Sequence, residues 1–204
     1  MEVKVIRVEG LDIACEAVRL SFNSESNEGA TETSQGVDLW KDNVELAKKL
    51  ILSGDSHSKC MRMATVWLDL TMPRYWWSEA DQCKVGFVTM SESTAHRLLG
   101  NLKAGKVDIE SNFEYTDSSK DAIQWMLEEM IVQANEGATT EELKQMLPES
   151  FLQRRIVCTN YQTLRHIYFD RRNHRLPIWH KFLDELLKQL PFPEFVTIER
   201  GVTK

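Results

Sequence analysis

The sequence predicts an α+β fold, mainly helical with a small antiparallel sheet. Three observations predict it. Several segments repeat apolar residues at three- and four-residue intervals, two others alternate them at every second residue, and capping residues or prolines mark the borders. At 204 residues, 42% hydrophobic and 27% charged, the chain has the balance of a foldable globular protein and reads as one domain, 1–204.

The elements follow in order. Val3, Val5, Ile6 and Val8 read as an opening strand that Gly10 breaks. Asp12 is placed to cap a helix with Ile13, Ala14, Ala17 and Val18 on its face and Leu20 close by. The polar stretch NSESNEGATETSQG predicts a flexible loop over about residues 23–37. Asp42 and Glu45 form a capping box for a second helix, which buries Val44, Ala47, Leu50 and Ile51 and stops at Gly54. From Arg62 to Thr71 the chain alternates, with Ala64, Val66, Leu68 and Leu70 on one side, which predicts a strand.

Pro73 suits the first turn of a helix, so PRYWWSEADQCKVG reads as helical from Pro73 to about Cys83. Trp77, Asp81 and Lys84 then share one face, Trp76, Ala80 and Cys83 another, and Gly86 closes the segment. The span Lys103 to Ser119 gives no clear period. Ser118 and Asp121 predict a capping box before the stripe Ile123, Met126, Leu127, Met130, Ile131 and Ala134. Thr139 and Glu142 start a short helix that ends at Pro148, and a long helix begins near Thr159. Pro177 opens the last helix, on which Ile178, Trp179, Phe182, Leu183, Leu186, Leu187 and Leu190 keep helical spacing until Pro191 and Pro193.

Charge and composition exclude several classes. A net charge of -6 argues against a duplex-DNA binder, which needs a cationic surface to neutralise phosphates. No stretch nears the ~20 apolar residues of a membrane span, and the start has no signal-peptide shape. Cys15, Cys60, Cys83 and Cys158 are scattered, as expected of reduced thiols in a cytoplasmic protein.

Chemistry concentrates in three places. The helix after Pro73 sets Trp76 and Trp77 beside Glu79, Asp81 and Lys84, either as a docked core helix or as one wall of a ligand site. The stretch QRRIVCTNYQTLRHIYFDRRNHR gathers Arg154, Arg155, Arg165, Arg171, Arg172 and Arg175 with Asn160 and Tyr161. Arginine forks match phosphate and a tyrosine can stack on a base, so a nucleotide is one reading, and a solvated helix face with paired arginines is the other. His166 and Asp170 are spaced for a metal, with His174 and His180 further along, but no second ligand pair joins them and no metal is expected. No GxSxG, Walker A or GxGxxG motif is present.

The order of these pieces resembles the flavin-dependent thymidylate synthases. MEVKVIRVEGLDIACEAVRLSF stands where that family has a strand and an alanine-rich helix, and LAKKLILSGDSHSKCMRMATVWLDL where it has a helix, a glycine, an HS pair and a strand. LPESFLQRRIVCTNYQTLRHIYFDRRNHRLPIWHKF is similar to the family's C-terminal LP and T-N-x-x-x-L run before a tryptophan-bearing helix. The PRYWWSE-D-x-x-KVG core is also similar to short proteins of phages and prophages of Gram-positive bacteria. The resemblance implies the family's fold, a homotetramer with clefts between subunits, FAD as cofactor, dUMP as nucleotide and a folate as one-carbon donor. It departs at the signature RHRxxSxNxxSxRY, which falls on Gln82 to Ala95. Gln82 and Cys83 take the first two positions, Lys84 the third, Phe87 the first serine and Thr94 the later arginine. His57-Ser58-Lys59-Cys60-Met61-Arg62 likewise lacks the family's acid.

The expected function is therefore that of a nucleotide-binding relative of these synthases, taking a pyrimidine nucleotide and FAD, without the donors of the standard reaction. Lys84 and Arg172, which the resemblance sets at positions of the family's ligand site, are expected to hold phosphate, while Tyr161 or Trp77 is expected to stack on a ring and Glu79 or Asp81 to handle a proton. Trp76, Asn160 and Arg165 complete the expected ligand-binding set. The alternative is a non-catalytic phage protein that sequesters a nucleotide signal or binds a host protein in the host cytoplasm.

Overall fold

A computed structural model describes residues 1–22, 30–31 and 39–199, with the backbone alone for 21–22, 30–31 and 39–40. In chain order the elements are β1 (Glu2–Glu9), α1 (Leu11–Ala17), β2 (Ala30–Thr31), β3 (Leu39–Trp40), α2 (Lys41–Ser53), β4 (Thr65–Pro73), α3 (Arg74–Ala80) and β5 (Val88–Ser91). They continue with α4 (Thr94–Lys103), α5 (Ile109–Asn112), α6 (Asp117–Glu136), α7 (Thr140–Met146), β6 (Leu152–Asn160), α8 (Tyr161–Arg171), α9 (Pro177–Gln189) and α10 (Glu194–Thr197). The α+β expectation holds: helices predominate, with one antiparallel sheet of order β1-β4-β6-β5 and a two-stranded ribbon of β2 and β3. Most of the loop expected at 23–37 lies outside the described residues, apart from the strand Ala30–Thr31.

Local chemistry explains the element borders. Gly10, at φ 71°, turns the chain from β1 into α1 and leaves Asp12 in the first turn rather than at the cap. The buried face of α1 is Leu11, Ala14 and Cys15, so Ile13 is exposed, and beyond the helix Leu20 is exposed too, both against the sequence reading. Helix α2 starts one residue before Asp42, whose carboxylate pairs with Arg19. Pro73 is the extended cap of α3, and the helix ends at Ala80, short of Cys83. In α6 the capping box is Thr116 with Ser119, two residues earlier than expected. The Thr139–Glu142 box is as expected, with Glu142 Oε2 accepting the Thr139 N–H at 2.7 Å.

By residue contacts the chain forms two compact units. The first comprises residues 1–2, 70–82 and 90–155. There α4, α6 and α7 close over one apolar core built from Leu98, Leu102, Leu127, Met130, Ala134, Leu143 and Leu147. Complete burial of each such leucine or methionine contributes roughly 1.5–3 kcal/mol. The second comprises residues 3–69, 83–89 and 156–204. In it α8 packs on α10 and α9, and Trp179 meets Phe182 edge-on with ring centroids 5.8 Å apart.

Candidate functional site

In the first unit an open cleft of about 260 Å³ is lined by Arg74, Trp77, Ser78, Asp81, Thr94, Lys144, Gln153 and Arg155. Two elements position its centre. Helix α3 brings Trp77 and Asp81 round on one face, because residues four apart on a helix are neighbours. Strand β6 sets Gln153 and Arg155 on one side, because alternate strand residues share a face. Trp77 is buried, its indole N–H donating to the Gln153 carbonyl at 2.9 Å, with Trp76 edge-on at 4.9 Å.

The Arg155 guanidinium lies over the Trp77 ring, 4.2 Å from its centroid. Its Nη1 donates to Asp81 Oδ1 at 2.8 Å, and its Nε and Nη2 both donate to Gln153 Oε1, at 3.2 and 3.1 Å. Around it the lining carries three cations, Arg74, Lys144 and Arg155, against the single carboxylate of Asp81. Arg74 reaches Glu149 at 3.4 Å and donates to the Leu147 carbonyl at 3.0 Å. Such a lining attracts an anion with polar edges.

The second unit holds a polar turn. Asn160 caps α8, its Oδ1 accepting the Thr163 N–H at 2.9 Å, while Thr163 Oγ1 donates to the Val85 carbonyl at 3.2 Å. Gly86, at φ 71°, fits this turn because it has no side chain: a Cβ would stand 2.5 Å from Thr163 Oγ1 and 2.8 Å from Asn160 Nδ2. Lys84 is exposed on the same loop, and Val85 beside it is 88% exposed.

The expected site residues therefore divide. Trp77 and Asp81 meet in the cleft, and Lys84 and Asn160 lie on or against the Val85–Gly86 turn. Trp76 is a core residue. Glu79 stands near the Tyr75 phenol, whose pKa is raised by burial first and then by Glu114 and Glu79. Stacking on Tyr161 does not fit: its ring is fully buried and its hydroxyl donates to the Pro191 carbonyl, with burial pushing the phenol pKa well up. Arg165 is buried too, bonded to the Val196 carbonyl at 3.1 Å and lying over Phe169. Arg172 pairs with Glu199, which raises its pKa, and covers the Phe169 ring at 4.7 Å.

His166 Nε2 lies 3.1 Å from Asp55 Oδ2, and no group of three metal-ligating side chains occurs among the described residues. Sequence reasoning missed Arg74, Lys144 and Gln153 altogether. It grouped Arg155 with the other arginines, as a phosphate candidate or part of a solvated helix face, and assigned it no strand, although Ile156, Val157 and Thr159 beside it are a strand signal.

No family model and no curated protein matches the sequence. Solved structures do. A flavin-dependent thymidylate synthase of Helicobacter pylori, crystallised with FAD and dUMP, superposes with a TM-score of 0.80 over 98% of both chains at 17% identity. This is the flavin-dependent thymidylate synthase fold. A second structure of the Helicobacter pylori thymidylate synthase X, also with FAD and dUMP, gives 0.79 over 100% of both chains at 16% identity. The same fold is carried by PolB, a UMP/dUMP methylase of Streptomyces cacaoi bound to 5-bromo-dUMP, at 0.66 and 17% identity over 96% of this chain and 94% of that one. The thymidylate synthase fold thus accounts for nearly the whole chain, including α4 and α5, which the sequence left unassigned.

Proposed function

We propose that this chain is a nucleotide-binding protein of the thymidylate synthase fold, taking a uracil nucleotide monophosphate with its phosphate in the Arg74–Lys144–Arg155 cleft. The cleft carries the reading: three cations gathered in a chain of net charge -6 form a local field for a phosphate monoester. The choice of base is supported by fold relatives of two different activities, each crystallised with a uracil nucleotide.

A flavin nucleotide is the cofactor implied by the fold. The residues beside Gly86 fit it: Lys84 supplies an ammonium and Asn160 an Nδ2 with no acceptor among the described residues, next to the exposed side chain of Val85. When bound, a flavin supplies hydride chemistry. The standard thymidylate reaction is outside this reading, because Gln82 and Cys83 stand where the signature has its first two positions. A homo-oligomer belongs to it, since Val85 and Val88 at 68% exposed offer apolar surface for a second copy. Phage origin and residence in a host cytoplasm complete the reading on the strength of the resemblance.

The test is absorbance of purified protein in the flavin region, followed by thermal shift with FAD, dUMP, UMP, dTMP and uridine. A ligand at 100 times its dissociation constant stabilises by about 2.7 kcal/mol. A shift with dUMP or UMP and none with uridine is the expected result. Equal responses to uridine and dUMP would remove the phosphate cleft from the account. A response to no nucleotide would leave the non-catalytic binder of a host protein as the standing alternative.

A further inference from the structure

We propose that Arg155 is the phosphate receptor of the cleft and that Asp81 is its resident counter-anion, which an incoming phosphate monoester displaces. The proposal rests on the nucleotide reading for the identity of the ligand but not for the exchange itself.

The geometry is that of a receptor held in readiness. A guanidinium has five N–H donors in a fixed plane. Three of those on Arg155 are engaged, two by one Gln153 oxygen and one by Asp81, so two have no acceptor among the described residues. The plane is fixed from behind by the Trp77 ring, itself anchored to the Gln153 carbonyl. Three contacts thus define one orientation, and little rotamer freedom remains to be lost on binding. An arginine serving only the fold would direct its remaining donors at protein oxygens; here they border an open cleft that also holds Lys144 and Thr94.

The two partners of the guanidinium differ in how firmly they are held. Gln153 is bound on both sides, its Nε2 donating to the Glu92 carbonyl at 3.1 Å. Asp81 stands just past the end of α3, its side chain 51% exposed against 14% for Arg155. An exposed carboxylate contributes little by pairing and returns to water cheaply. A phosphate monoester offers three oxygens and up to two charges in its place, and it reaches the free donors of Arg155 together with the Lys144 ammonium. Asp81 then acts as a competitor that sets the affinity threshold and rejects weak monoanions.

This arrangement gives a signed expectation. Removing the competitor's charge must tighten phosphate binding, because the Arg155 guanidinium then no longer exchanges one anion for another. The variants are Asp81→Asn, which keeps the shape, Arg155→Gln, and Arg155→Lys, which keeps the charge without the fork. Calorimetric titration of the full chain with inorganic phosphate and with dUMP reads the outcome, and thermal denaturation checks folding.

Asp81→Asn is expected to tighten phosphate and dUMP at least threefold. Arg155→Gln is expected to weaken both at least tenfold, with Arg155→Lys between. Unchanged or weaker phosphate binding in Asp81→Asn overturns the exchange, and it does so even if Arg155→Gln fails to fold. Full dUMP affinity in both Arg155 variants overturns the receptor role while leaving uracil-nucleotide binding standing. A phosphate response that follows the expected signs, with dUMP bound no better than phosphate, supports the receptor and instead removes the nucleotide reading.

Discussion

Trp77 acts as the surface on which Arg155 lies rather than as a base platform. Its ring is 1% exposed, so the guanidinium, not the indole, faces the cleft. Trp77→Ala is therefore expected to weaken phosphate binding through Arg155 and to destabilise the fold by about 3–5 kcal/mol, read by urea denaturation beside a phosphate titration. Gly86→Ala tests the turn on α8. It forces φ 71° on a residue with a Cβ and drives that atom against Thr163 and Asn160, so a loss of about 1–3 kcal/mol is expected in the same denaturation experiment. Cys15 gives a pH prediction. Burial first, with Cys60 and Asp12 adding, raises its pKa from 9.0 to about 12. The folded state keeps the proton in that interval while the unfolded state releases it, so stability falls as pH rises from 9 toward 12. Cys15→Ala should flatten this part of the stability-against-pH curve, by on the order of 4 kcal/mol at its upper end; parallel curves would show that the thiol is not the cause.

At the scale of elements, caps and periodicity were legible because they act locally. The Thr139–Glu142 box reads directly from four residues, and Thr139→Ala is expected to cost about 0.5–2 kcal/mol in thermal or urea unfolding. Helix α9 was equally plain, since Pro177 and a seven-residue apolar stripe leave one helical solution. The strand β6 was not. Its arginines and glutamine obscure the alternation, and the helix expected from about Thr159 supplies the stronger periodic signal, so Gln153 to Cys158 carried no assigned element. The same error hid the site: Gln153 and Arg155 share a face only on a strand. Helix α4 escaped because its polar positions outnumber the buried Leu98 and Leu102.

Across the whole molecule, charge separates the cleft from its surroundings. The chain carries -6, yet the cleft lining holds three cations and one acid. Phosphate affinity is accordingly expected to fall several-fold as salt rises from about 0.05 to about 0.5 M, because screening acts on exposed charges. A salt-independent titration would place the binding energy in apolar contacts instead. The sequence by itself determined the fold class, most helices, the caps and the family of folds to which the order of segments points, since all of these depend on neighbours within a few residues or on their succession. Only the tertiary structure decided which charged side chains are free to meet a ligand. Tyr161, Arg165 and Arg172 looked available in sequence and are taken up by Pro191, Val196 and Glu199, while Lys144 and Arg155, far apart from Arg74 and Asp81 along the chain, are brought to one cleft. The reason is physical: propensity is local, but the competition of protein groups for each donor is settled only when the chain has packed.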